Sequence, residues 1–236
     1  MKVIPIKTRI FKEGEALAGF ILSYIPRLKE GSVLVITSKI VALAQNRTAE
    51  IGNARAKDDI IRAESEFAIK TKYCWLTIKD GIVLASAGVD ESNANGKLIL
   101  LPKDSFKIAL LLRKKLRQKY GVKKLGIVIT DSRTIPLRAG ITGVALGYAG
   151  FRGVKDYRGK PDIFGRKFKF SRTDMADSLA SAAVLVMGEG DERRPLAIIE
   201  NAPIEFCDRT NREELHIDIK DDMYRPLFSR LPKSKS

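Results

Sequence analysis

The chain has 236 residues, and its 43 Lys and Arg against 28 Asp and Glu give a formal net charge of +15. A hydrophobic share of 44% and a charged share of 30% are those of a globular protein and exclude disorder as the main state. One His (His216) and two Cys (Cys74 and Cys207) argue against a disulfide framework, a Cys/His zinc site and His-centred catalysis. The surplus charge predicts anionic partners: nucleic acid, phosphorylated small molecules or polycarboxylates. The opening stretch MKVIPIKTRIFKEG has no long apolar run, and no window approaches the ~20 apolar residues of a membrane span. The expectation is a cytoplasmic chain with no membrane partner.

In chain order, Met1–Thr8 alternates apolar and polar residues and predicts a strand. Leu17, Phe20, Ile21 and Ile25 recur at helical spacing and predict a helix over 14–25, ending before Pro26. Val33–Thr37 is an apolar run typical of a buried strand, with Ser38 expected to cap a helix over 39–45. Residues 58–71 read as helical. Cys74–Ile78 and Ile82–Ala85 read as strands joined by the turn residues Asp80 and Gly81. Residues 88–96 are polar and turn-rich. Ser105–Tyr120 predicts an amphipathic helix with a solvated basic face of Lys107, Arg113, Lys114, Lys115, Arg117 and Lys119. Leu125–Thr130 is the clearest buried strand, and Val144–Ala149 predicts another within the Gly-, Arg- and Lys-rich stretch 131–172. Thr173 is the expected cap of an Ala-rich helix over 175–187 that stops at Gly188; Leu196–Ile199 predicts a last buried strand. Strands and helices mix without strict βαβ alternation, which predicts an α+β fold of interleaved subdomains over 1–222 with a basic tail over 223–236.

The common phosphate motifs are absent. Gly96-Lys97 lacks the upstream Gly of a Walker loop, and Gly188-Glu189-Gly190 lacks the later Gly of a dinucleotide fingerprint. Three polar clusters remain, each beside a buried element: Asp90-Glu91-Ser92-Asn93, Asp131-Ser132-Arg133, and Met187-Gly188-Glu189-Gly190-Asp191-Glu192-Arg193-Arg194. Acidic residues at strand ends suit Mg²⁺ or Mn²⁺, because phosphate oxygens and waters complete the shell. The Gly-rich third cluster suits backbone contact with phosphates. Taken singly, an Asp after a strand is most often a turn or cap residue, and Gly188 alone reads as a helix C-cap.

The clusters resemble one family in order. Ala87-Gly88-Val89-Asp90-Glu91-Ser92-Asn93 is similar to the "AGIDxSN" segment of the coenzyme F420-0:L-glutamate ligase family, and Gly126–Ser132 to its "GVxI(S/T)DT". Arg138, Gly140, Gly143, Ala145, Gly147 and Gly150 fit "RxGxxxxAIGxxG"; Asp156-Tyr157-Arg158-Gly159, Asp162 and Gly165 fit "DYRGxxDxxG"; residues 176–180 and 187–190 match "ADELA…MGEG". Lys12-Glu13-Gly14 and Ser38–Val41 resemble its N-terminal segments. Two departures stand out: Leu43 replaces the Lys of "SKAEGR", and 131–140 loses the internal Gly of "DTxGRxxRxG".

The resemblance implies an intertwined α+β homodimer that joins L-glutamate to an acceptor carboxylate, at the expense of GTP or ATP, with two divalent cations (Mg²⁺ or Mn²⁺). It implies cation ligands and catalytic groups at Asp90, Asp131 and Glu189, with Ser132 as a further ligand. It places nucleotide contacts at Arg9, Ile10, Phe11, Lys12, Ser38, Lys39, Asn93, Met187, Gly188, Gly190, Asp191, Glu192, Arg193 and Arg194. An F420-0-like acceptor and a folate-type acceptor both remain open, as does a member that binds nucleotide without turnover. A nucleic-acid-binding protein, resting on the charge and the basic helix, ranks well below these because only 7% of residues are aromatic.

Overall fold

A computed structural model describes residues 1–228; the end of the expected basic tail, from 229 onward, lies outside the described residues. The centre is a five-stranded sheet in the order β1 (Lys2–Ile6), β12 (Leu196–Glu200), β2 (Ser32–Thr37), β8 (Leu125–Thr134), β9 (Ile141–Ala149). Only β2 and β8 pair in parallel; every other neighbour in this sheet is antiparallel. The mixture bears out the α+β expectation.

Both faces of the sheet are covered, which is why β2 and β8 read as unbroken apolar runs rather than as alternation. Leu34, Ile36, Leu125, Ile127 and Ile129 pack against α1 (Leu17–Tyr24), α2 (Ser38–Ala44) and α4 (Ser105–Tyr120). Val33, Val35 and Val128 face the other way, onto Leu179, Ala180 and Ala183 of α5 (Met175–Met187). Gly143 of β9 lets α5 approach closely: a Cβ there would lie 2.5 Å from the Ala180 carbonyl carbon and oxygen.

Between α2 and α4 the chain builds a second, smaller core from Ile61, Trp75, Ala87, Val89, Leu98 and Leu100. It holds α3 (Ala54–Ala63) against an antiparallel sheet of β4 (Phe67–Lys70), β5 (Trp75–Lys79) and β6 (Ile82–Ala85). Two short ribbons, β3 (Thr48–Glu50) with β7 (Lys97–Ile99) and β10 (Val154–Asp156) with β11 (Arg172–Asp174), complete the sheets. A short α6 spans Arg225–Phe228. Among the described residues, no helix is long and apolar enough to cross a membrane.

Five local expectations need correction. The helix over 58–71 is two elements: α3 stops at Ala63, and Phe67–Lys70 is a strand whose backbone pairs with Trp75–Ile78. Ser38 is the first residue inside α2 rather than its cap; Thr37 holds the cap position without a side-chain bond. Asp174, not Thr173, caps α5, accepting from the Asp177 amide at 2.9 Å. Asp131-Ser132-Arg133 is not a turn but the continuation of β8, after a register shift at Ile129/Thr130. Arg113 leaves the solvated basic face: it is buried, and its Nε donates to the Leu125 carbonyl at 2.8 Å while Nη2 pairs with Asp208 at 2.9 Å.

Candidate active site

The site forms where the ends of β2 and β8, the 86–93 loop and the loop after α5 meet. Gly88 turns the 86–93 loop with φ of 70°, and a Cβ there would lie 2.5 Å from Leu101. Its neighbours Ser86 and Ala87 also hold left-handed backbone, with φ of 51° and 55°. Strain of this kind persists only where surrounding packing enforces it. Here Ala87 is buried, and its amide donates to the Thr77 hydroxyl at 2.8 Å. The result delivers Asp90 to the end of the sheet.

Three contacts close the site. Lys39 Nζ lies 2.8 Å from Asp90 Oδ2 and donates to Ser92 Oγ at 2.8 Å. Asn93 Nδ2 donates to the Gly190 carbonyl at 3.3 Å, tying the first polar cluster to the third. Ser132 Oγ stands 3.5 Å from Glu189 Oε2, at the long limit of a hydrogen bond. The second cluster thereby reaches the third.

The carboxylates differ in what surrounds them. Burial pushes the Asp131 carboxyl up to about 6, against hydrogen bonds from the Ser132 amide and Ser38 hydroxyl; Asp90 adds repulsion. Burial also disfavours the Asp90 charge, but hydrogen bonds from Lys39 and the Ser92 amide outweigh it and hold Asp90 below its ordinary range. Desolvation raises Glu189, with Lys39 and Ser132 opposing. Asp131 is therefore the carboxylate whose charge is least compensated by the protein.

A divalent cation fits the chemistry of these donors. Asp90, Asp131, Glu189 and Ser132 supply hard oxygens alone, and Asp131 carries a charge that a cation would neutralise. Among the described residues, however, no three His, Cys, Asp or Glu side chains close into one ligand group. Such an ion would take one or two protein oxygens and complete its shell with phosphate and water, which is the habit of Mg²⁺.

The remaining expected residues are placed unevenly. The Thr8 amide donates to the Arg193 carbonyl at 2.9 Å, bringing the 9–12 segment beside the third loop. The Arg9 guanidinium is engaged by Glu15 and lies over the Phe20 ring at 5.1 Å. Phe11 is buried edge-on to Phe20 and Met187 is buried against α5's face of the sheet, so both side chains are core. Ile10 and Lys12 are exposed. Glu192 folds back to accept from the Gly190 amide at 2.8 Å, Arg194 donates to the Val186 carbonyl at 3.2 Å, and Asp191 is exposed. Leu43, near the C-terminal end of α2, is partly buried against the core, so the family's Lys position is here an apolar one.

Sequence reasoning set Arg133 in the second polar cluster but gave it no role. Its Nη2 pairs with Asp177 Oδ2 at 2.9 Å, while Asp177 Oδ1 accepts from the Ala145 amide at 2.9 Å. A cavity of about 230 Å³ runs beside Asp131 and Ser132 and is walled by Arg133, Leu84, Leu101 and Ile141. A larger cleft of about 850 Å³ lies by β10, β11 and the start of α5, lined by Lys155, Lys160 and Arg172 among others. It contains none of the residues named above as ligands or nucleotide contacts, so size does not mark the reactive centre.

Fold and site define an α+β chain that gathers carboxylates, a lysine and Gly-rich backbone at one end of its sheet. It belongs to the F420-0:gamma-glutamyl ligase family, whose model matches residues 55–201. It is similar to the coenzyme F420:L-glutamate ligase of Methanococcus maripaludis strain C6, with 33% identity over 95% of this chain and 97% of that protein. The protein of that name from Methanopyrus kandleri is 35% identical over 83% of this chain and 84% of its own length. That from Archaeoglobus fulgidus is 28% identical over 98% of both.

Proposed function

We propose that this protein joins L-glutamate to the carboxylate of an F420-0-like acceptor, driven by GTP or ATP with two Mg²⁺ or Mn²⁺ ions. The observation that carries the reading is the meeting of three polar clusters, through Asn93–Gly190 and Ser132–Glu189, with Lys39 of α2 on Asp90, in a chain of this family. The acceptor carboxylate oxygen attacks the γ-phosphorus, and the bond to the β-phosphate oxygen breaks, releasing the nucleoside diphosphate. The α-amine of L-glutamate then attacks the acyl carbon, loses a proton and expels inorganic phosphate, leaving the amide.

Phosphoryl transfer of this kind asks a protein for positioning and charge neutralisation rather than for a nucleophile. The cations would neutralise the phosphates; Asp90, Asp131, Glu189 and Ser132 would hold them. Lys39 sets the charge of Asp90 and stands ready for an anionic phosphate. The Glu189 amide and the side chain of Asn93 would face the nucleotide; the Gly188 and Gly190 amides are already taken by the Val184 carbonyl and the Glu192 carboxylate. Exposed Ile163, Phe164 and Phe170 lie in the connection between β10 and β11, and they support a homodimer in which a second copy covers them.

The test is a mass-spectrometric screen of deazaflavin-type and folate-type acceptors, with L-glutamate and GTP or ATP in parallel. A product heavier by one glutamyl unit, formed with the deazaflavin acceptor and lost in Asp131→Ala, is expected. Exclusive use of a folate acceptor would reassign the substrate. Wild-type turnover in Asp131→Ala would overturn the cation assignment.

A further inference from the structure

The cavity of about 230 Å³ beside the carboxylates is open to solvent. At ~30 Å³ per water it holds about eight waters, which is the scale of a free amino acid. Its chemistry is divided. Ser38, Lys39, Asp90, Asp131 and Ser132 make a polar part of the wall, continuous with the cation and phosphate site, and Leu84, Leu101 and Ile141 make an apolar part. Arg133, two positions beyond Asp131 on β8, adds a guanidinium.

The guanidinium is only partly satisfied. Nη2 is fixed by Asp177, whose other oxygen is fixed in turn by the Ala145 amide. Nε is buried and has no hydrogen-bond partner. A buried donor of a charged group left unmatched is costly, and such exceptions call for an explanation. The buried Nε has no surface open to a ligand, so the donor left for a carboxylate in the cavity is the terminal Nη1, which has no protein partner among the described residues and is oriented by the Asp177 bond to Nη2.

Resting on the ligase reading above, we propose that this cavity is the amino-acid subsite and that Arg133 binds a carboxylate of the incoming L-glutamate. Asp177 is the positioning residue that aims it. The arrangement puts the amino acid beside Asp131 and Ser132, with the amine next to the site of acyl transfer. The apolar wall of Leu84, Leu101 and Ile141 accommodates the methylenes.

The test is calorimetric titration of the Mg²⁺-loaded protein with L-glutamate alone, then with GTP alone. Arg133→Gln should weaken L-glutamate binding at least tenfold while GTP binding stays within twofold. Arg133→Lys, which keeps the charge and loses the fork, should fall between. Thermal melts of each variant and of Asp177→Asn separate loss of the fold from loss of the contact. Equal L-glutamate affinity in wild type and Arg133→Gln, an equal loss of GTP affinity, or no L-glutamate binding by the folded wild type would overturn the proposal. Arg133-dependent binding of L-glutamate without turnover on any acceptor would instead overturn the ligase reading and leave the subsite standing. Turnover with a KM for L-glutamate indifferent to Arg133→Gln would do the reverse.

Discussion

Lys39 Nζ sits 2.8 Å from Asp90 Oδ2, so the start of α2 and the first polar cluster are joined by one ion pair inside the site. The pair has a consequence for binding. An ammonium on Asp90 competes with any cation for that carboxylate, and the same ammonium is available to a phosphate once a cation takes Asp90. Lys39→Ala should therefore strengthen Mn²⁺ binding severalfold in the absence of nucleotide, read by the electron paramagnetic resonance of free Mn²⁺. It should raise the nucleotide KM roughly ten- to a hundredfold, as expected for losing a charged hydrogen bond of about 1.5–3 kcal/mol. An unchanged nucleotide KM would remove Lys39 from the phosphate site.

Asp131 sets a pH dependence. Its folded-state value of about 6 lies above the ordinary 3.8. Between those values the folded protein keeps a proton that the unfolded chain has lost, so this group weakens stability as pH rises from about 4 to 6. The full cost at neutral pH is on the order of 3 kcal/mol, at ~1.4 kcal/mol per unit. Asp131→Asn should melt higher than wild type at pH 7.5 in chelator and close to it at pH 4. Cation binding, which needs the ionised carboxylate, should weaken about tenfold per unit below pH 6 and level off above it. A flat cation affinity from pH 5 to 8 would contradict the assignment.

Gly143 and Gly19 should respond oppositely to the same change. A Cβ at 143 meets the Ala180 backbone at 2.5 Å, whereas at 19, on the exposed side of α1, it meets nothing within 4 Å. Gly143→Ala should push α5 off β9 and cost about 1–3 kcal/mol. Gly19→Ala should stabilise by about 0.5–1 kcal/mol through helix propensity. Urea denaturation of both variants checks the pair.

The basic helix α4 separates structural from solvated charge. Arg113→Met should cost about 1–3 kcal/mol, because it strands the buried Leu125 carbonyl. Lys114→Gln and Lys115→Gln, on the exposed side, should stay within about 0.5 kcal/mol of wild type. Equal losses at 113 and 114 would mean that the helix is held by its net charge rather than by one anchored side chain.

Much of this was legible in the residues. The runs VLVIT and LGIVIT announce strands buried on both faces, and 105–120 and 175–187 carry their periods and C-terminal glycines plainly. The strand Phe67–Lys70 was not legible, because four residues following a helix carry too little pattern to separate it from that helix's own spacing. Arg113 was misread for a related reason: periodicity places a residue on a helix face, but a long side chain can turn back into the core when a carbonyl and a carboxylate await it.

The site divides along the same line. Asp90, Asp131 and Glu189 stand out by their place beside buried elements and by the motifs around them, and family membership follows from the order of those motifs. That Asn93 meets Gly190, 97 positions away, and that Arg133 is held by Asp177 rather than by a neighbour, was settled only by the tertiary structure. Residue type and local period determine which groups exist and which element carries them. Which groups touch depends on strand register, the shift at Ile129/Thr130 and the seating of α5 on Gly143, all properties of packing between distant segments.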